Sequence, residues 1–356
     1  MRNLIRILIS ISSLLIIGLY FNIGTQKKEE VLIDEVVSNP KVDNDLEDND
    51  SLLNAVTIKM PDEGLISFIG KSTNHLINIM GNPTRKDPSL YGYEWWIYPL
   101  SHNNYVQVGV IDDKIVTIYA TGSESHIPPF KIGQPIADIY SATLFETTIS
   151  IDYDNSSYKF ELSEDDLNTR PLIKIGDIFA QLYLDKFSGT LSSIRLLDAA
   201  TLIKQHPYEM VYRGDLLEEN DELPINDEEV ERGKERQILD ITNVIRVRND
   251  LNPLEWDEQT AAVALAHSKD MFDSKNFSHI SEEFGDLSDR LEAGSVFYQI
   301  AGENIAANYI DAPAVVEGWL NSKGHRESLL NEQFTHLGVG VYKKHYTQNF
   351  IEKWQE

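Results

Sequence analysis

The apolar residues of this chain change period once, and that change constrains the fold more than any other feature. From about residue 60 to 200, short runs rich in Ile, Val, Tyr and Trp are broken by Gly, Pro, Asn and Asp. Such runs read as β-strands. They fall at 93–98, 105–111, 114–119, 147–153, 157–162, 178–184 and 191–197, with Asp112-Asp113 as a hairpin turn between two of them. From residue 227 the spacing lengthens. Ile238, Ile241 and Ile245 define a buried helical stripe over 227–248, ended by Asn252-Pro253. Asp257 caps a second helix through Ala261, Ala264, Leu265, Ser268 and Phe272. A third helix is predicted over 287–293. A fourth covers 312–319, with Pro313 early, where its missing N–H costs little. Residues 339–342 and 346–350 read as closing strands. A chain of 356 residues with this pattern is predicted to form two α+β domains, over 59–200 and 227–356.

The first domain carries a weak internal repeat. Ile69-Gly70-Lys71-Ser72 opens a short helix ending near Met80-Gly81-Asn82-Pro83. Ile132-Gly133-Gln134-Pro135 opens a similar one through Ile136, Ile139 and Tyr140, and strands come after each. Two related α+β units packed side by side are expected. Trp95 and Trp96 point to opposite faces of one strand, so at most one faces the core, and the other is expected at a domain interface, with a ligand groove as the alternative. His75, His102 and His126 are isolated in sequence and read as surface or capping residues. Residues 201–226 read as a linker. Arg213-Gly214-Asp215 lies in it, but three-residue matches are too common by chance to imply integrin binding.

The N-terminal region points to the cell envelope. Two arginines precede the uncharged run 7–23, and Lys27-Lys28 come after it. Residues 1–25 therefore read as a signal anchor near the lower length limit of a membrane span, with a cleaved signal peptide as the alternative. The bulky Tyr20-Phe21-Asn22 favours the anchor. Residues 26–58 read as an acidic, disordered tether. This places the protein at the cell membrane, single-pass with its domains extracytoplasmic, or alternatively secreted. The net charge of −26 repels nucleic-acid phosphates and anionic headgroups, which excludes a nucleic-acid role. No cysteine is present, so packing alone holds the fold.

Several motifs in the second domain carry the chemistry. They are Phe277-Ser278-His279, Gly302-Glu303-Asn304-Ile305-Ala306 and the run Trp319-Leu320-Asn321-Ser322-Lys323-Gly324-His325-Arg326. Leu251-Asn252-Pro253-Leu254 stands upstream and Gly338-Val339-Gly340-Val341 downstream. In this order they resemble the CAP superfamily of cysteine-rich secretory proteins, insect venom antigens and pathogenesis-related proteins. The resemblance covers the last third of the chain. It implies a three-layer α-β-α sandwich and one cleft. The preceding α+β domain looks similar to the CAP-associated N-terminal domain of bacterial members, a label that brings no chemistry.

The resemblance further implies that His279, Glu303 and His325 converge, with Ser322 where many eukaryotic members carry glutamate. Two neutral imidazoles, His279 and His325, can ligate Zn²⁺ or another divalent cation, with Glu303 as third ligand or as the group that orients an imidazole. His267 and Asn304 are secondary candidates. His267 reads more simply as a packing residue, and His336 as incidental. Trp319 reads as core, and Asn331-Glu332 as a turn. The leading expectation is a binding or scaffolding module for an envelope lipid, glycan, peptide or protein. The alternative is a metal-dependent hydrolase with Glu303 as general base. The inventory favours binding, because no nucleophile or oxyanion hole is marked. A third expectation is that the first domain presents the second to another envelope protein.

Overall fold

The computed structural model describes residues 22–24, 58–217 and 227–354. The expected signal anchor and tether lie outside the described residues, apart from 22–24 and 58. Among the described residues no helix is long and apolar enough to cross a membrane.

In chain order the first domain runs β1 (Asn22–Gly24), α1 (Thr73–Met80), β2 (Arg85–Pro88), β3 (Glu94–Ser101), β4 (Asn104–Ile111), β5 (Lys114–Thr121) and α2 (Ile136–Ala142). It continues through β6 (Thr148–Tyr153), β7 (Ser156–Glu161), α3 (Glu164–Thr169), β8 (Leu172–Ile175), β9 (Ile178–Asp185), β10 (Thr190–Leu197), α4 (Ala199–Gln205) and β11 (Glu209–Arg213). One sheet has seven strands in the order β2-β3-β4-β5-β10-β9-β8, and a four-stranded sheet has the order β1-β11-β7-β6. The stretch read as linker from 201 is thus folded as far as residue 213. Strand β11 pairs with β7 because Met210 and Tyr212 complete the core beneath that sheet.

The internal repeat is present in three dimensions. Gly70 N–H donates to Ile115 O, and Ile115 N–H returns a bond to Lys71 O. Gly133 and Gln134 make the same exchange with Leu191 at the other hairpin. Gly70 and Gly133 adopt φ of 80° and 83°, which L side chains rarely tolerate. The two units join where β5 pairs antiparallel with β10.

The second domain comprises α5 (Asp227–Arg248), β12 (Glu255–Trp256), α6 (Glu258–Ser274), α7 (Leu287–Ala293), β13 (Ile300–Ala307), α8 (Ala312–Leu320), α9 (Lys323–Leu329), β14 (His336–Tyr342) and β15 (His345–Glu352). Its sheet has the order β12-β14-β15-β13, which leaves β13 at an edge. Alternation along β14 builds the three layers. Leu337, Val339 and Val341 join Ile238, Ile241 and Ile245 of α5 on one face. Gly338 and Gly340 lie against α6 on the other, where an added Cβ would sit 2.2 Å from Ala261 N and 2.0 Å from Leu265 N. Glycine here is a packing requirement, because the helix backbone occupies the volume of a side chain.

The two domains share one core. Tyr91, Tyr93, Trp95, Tyr105 and Tyr119 on one face of the seven-stranded sheet pack with α5 and α8 residues, while Trp96 and Tyr98 face the first domain's own core. Arg195 and Asp311 form a fully buried ion pair across the boundary at 2.7 Å. Glu317 accepts from Tyr119 Oη at 3.2 Å and Ser192 Oγ at 3.1 Å, and burial pushes its carboxyl up.

Gly340→Ala is expected to destabilise the protein by about 3 kcal/mol, read from urea unfolding. Gly324→Ala is the control. An added Cβ there meets nothing within 4 Å, so stability should stay within roughly 1 kcal/mol of the parent.

Candidate functional site

A cleft of about 830 Å³ opens at the free edge of β13. One wall comes from the loop and helix around α7, with His279, Ile280, Asp286, Leu287 and Tyr298. The other comes from α9 and the turn after it, with His325, Glu327, Ser328, Asn331 and Phe334. The β13 segment from Ile300 to Glu303 forms the floor. Sequence reasoning did not assign a strand there. Ala-Gly-Glu-Asn lacks the β-branched and aromatic residues that mark strands, and pairing with β15 overrides the local preference.

Glu303 is the centre of the site. Its Oε1 lies 3.0 Å from His279 Nδ1, and its Oε2 accepts from Arg290 Nη2 at 2.6 Å. Arg290 also donates to the carbonyls of His279 and Gly285, each at 2.9 Å, so one guanidinium fixes both the carboxylate and the loop carrying His279. Burial alone would raise the Glu303 carboxyl. His279, His267 and Arg290 outweigh that and hold it below the ordinary value. Arg290 is absent from the sequence-derived candidates, since one arginine in an amphipathic helix carries no signal of its partner.

His325 is held differently. Its Nδ1 lies 2.7 Å from Ser322 Oγ at the start of α9. Ser322 does not line the cleft and acts through His325. Asn304 points to the opposite side of β13 from Glu303, where its amide donates to His325 O at 3.1 Å and Gln348 Oε1 at 3.2 Å. The rings of His279 and His325 stand near-parallel, 6.4 Å apart.

His267 is 1% exposed and lies behind the carboxylate, with Nε2 3.8 Å from Glu303 Oε1. Its ring nitrogens make no hydrogen bond among the described residues, and burial pushes its pKa down. It belongs to the Glu303 cluster beneath the cleft. His336 sits on β14 beside Glu255, at 3.7 Å, and is not among the lining residues. Trp319 is fully buried, and its indole N–H donates to Ile305 O.

Among the described residues no group of three or more His, Asp or Glu is placed to hold a metal ion. Both Glu303 oxygens are engaged, and Ser322 is spent on His325. Two imidazoles remain, fewer than the three protein ligands of a catalytic zinc centre. A resident zinc centre of that kind does not fit this donor set. A carboxylate that is buried, clamped and held below its usual pKa is also a poor general base at neutral pH.

Two family models match the chain. The CAP-associated N-terminal model covers residues 69–208, and that of the cysteine-rich secretory protein family covers 239–352. The chain is 46% identical over 361 aligned positions to the uncharacterized membrane protein YlbC of Bacillus subtilis, spanning 99% of this chain and 100% of that one. A crystal structure of an extracellular protein containing an SCP domain from Bacillus anthracis matches with a TM-score of 0.78 and 44% identity, over 89% of this chain and 100% of that chain. A cysteine-rich secretory protein from Staphylococcus aureus matches with a TM-score of 0.74 and 29% identity, over 84% of this chain and 98% of that chain.

Arg290→Met removes the buried cation from Glu303 and should cost about 3 kcal/mol of stability. The depressed carboxyl stabilises the fold above its unfolded pKa, and that contribution is lost as pH falls through the folded value. Without Arg290 the folded value rises and its difference from the unfolded value shrinks, so the stability gap between parent and variant should narrow as pH falls. Urea unfolding from pH 7 down to pH 3 checks both effects.

Proposed function

The chain belongs to the cysteine-rich secretory protein (CAP) family, with a CAP-associated N-terminal domain, and on that premise we propose that it is a ligand-binding module displayed on the outer face of the cytoplasmic membrane. The observation that carries this reading is the engagement of Glu303. Its carboxylate is tied to His279 and Arg290, so the polar groups of the cleft are held as a rigid recognition surface. Such preorganisation favours binding, because little freedom is lost when a ligand arrives. The apolar lining, with Ile280, Leu287, Tyr298 and Phe334, suits a ligand that is partly apolar, and His279 and His325 supply orienting polar contacts.

The cellular position rests on the charged and apolar pattern of residues 1–25 and on the likeness to a protein named as a membrane protein. The first domain serves as the platform. It buries the base of α8 through Arg195–Asp311 and holds α9 through Arg326, whose Nη1 lies 2.9 Å from Asp185 Oδ1. The wall carrying His325 is thus positioned from the other domain.

Incubation of the full chain with fractionated envelope glycan, lipid and peptide, read by mass spectrometry, should give retention without product release. Retention should fall at least tenfold in the His279→Ala/His325→Ala double variant. Time-dependent product release that vanishes in Glu303→Gln would sink the binding reading in favour of hydrolysis. Separately, the chain should sediment with membranes and become soluble when residues 1–25 are deleted; equal sedimentation of both would refute the anchor.

A further inference from the structure

The floor of the cleft is an unpaired strand edge. Asn308 N–H donates to Lys344 O in register with the β13–β15 ladder. Alternation in an antiparallel pair then assigns the even-numbered residues of β13 to β15 and turns the N–H and C=O of Ala301, Glu303 and Ile305 outward. The indole of Trp319 agrees with this parity, because it reaches Ile305 O from the outer side at 3.1 Å. At Ala301 and Glu303 no helix among the described residues covers the edge. These residues are partly exposed and lie within the cleft, whereas the strand beyond Asn304 is buried. An uncovered edge of this kind is a template for another strand.

We propose that the ligand of this cleft is an extended peptide segment that adds to β13 as a further strand, a deepening that rests on the reading of the cleft as a binding site. Main-chain bonds to Ala301 and Glu303 hold the segment, and its side chains alternate between the two walls. One set meets His279, Leu287 and Tyr298. The other meets His325, Ser328 and Phe334. Charge selects the segment further. The lining residues include Asp286, Glu303 and Glu327 and no Lys or Arg, and Glu303 is neutralised from behind by Arg290. Asp286 and Glu327 therefore favour a basic segment with apolar residues at alternate positions. The same charge repels the acidic stretches of this chain and, at a net −26, a second copy of it.

The probe is a capped pentapeptide of alternating Lys and Val, titrated calorimetrically into the full chain. It is compared with its Glu/Val counterpart and with two versions N-methylated on one or the other set of alternate amides. The Lys/Val peptide should bind at least tenfold more tightly than the Glu/Val peptide. Methylation of one set should cost about tenfold or more, as expected for two lost main-chain bonds, and methylation of the other less than threefold. Binding should slow hydrogen exchange at the Ala301 and Glu303 amides. Ala301→Pro, which removes an outward N–H and no ladder bond, should weaken binding similarly while leaving the melting transition cooperative. Equal loss from both methylations, no peptide binding at millimolar concentration, or dimerisation through this edge would overturn the inference. A disaccharide or a neutral lipid vesicle that shifts the His279 and His325 imidazole resonances where peptides do not would overturn it while sparing the binding cleft. Failure of every probe to shift those resonances would remove the cleft reading as well.

Discussion

The seven-stranded sheet has two apolar faces, and the first domain has helices enough to cover only one. Helices α1 and α2 bury the face carrying Trp96, Val108 and Ile118. The other face, with Tyr91, Tyr93, Trp95 and Tyr119, finds cover on α5 and α8. Leaving that surface in water would forfeit most of its hydrophobic stabilisation, since an aromatic side chain buries about 150–250 Å². The domains are therefore obliged to dock. Polar groups caught between them make specific contacts: Arg195 with Asp311, Tyr119 and Ser192 with Glu317, Gln237 with Asp87. A buried ion pair adds little net stability but penalises any misdocked arrangement, so Arg195–Asp311 sets the relative placement. Asp311 also caps α8 through Ala314 N–H, which gives the same carboxylate a role in both the helix and the interface.

Docking bears on the cleft through α8 and α9. Trp319 on α8 ties to the outer edge of β13, and Arg326 on α9 reaches Asp185 of the first domain next to His325. In a chain without cysteine, these packing and hydrogen-bonded ties take the place of covalent links. The close seat of α6 on Gly338 and Gly340 contributes on the opposite side of the sheet, and it brings His267 up beneath Glu303.

Much of this was legible in the sequence. The period of the apolar residues located seven strands of the first domain and the main helices of the second, because those elements are amphipathic or wholly buried and long enough to display a pattern. Alternation alone put Trp95 and Trp96 on opposite faces, and folding decides that Trp95 is the one at the interface. His279, Glu303 and His325 were found through motifs, and they do converge. The missing parts have a common cause. Strand β13, helix α9 and strand β11 take their conformation from partners distant in sequence, against weak or contrary local preference. Arg290 is decisive only because folding carries it to Glu303. Ser322 and Asn304 belong to the neighbourhood, yet each acts through His325 instead of facing the cleft.

The position of Glu303 on β13 couples the side chains of the cleft to its strand edge. Along one strand, side chains alternate across the sheet while main-chain groups alternate within its plane. Glu303 sends its side chain toward α6 and α7, where His267, His279 and Arg290 fix it, and for the same reason turns its main-chain N–H and C=O to the open edge. The clamp on the side chain therefore also immobilises the peptide groups beside it. A carboxylate needed for proton transfer would gain from freedom and a higher pKa. A strand edge that recognises a ligand gains from being held still, and the contacts around Glu303 provide that.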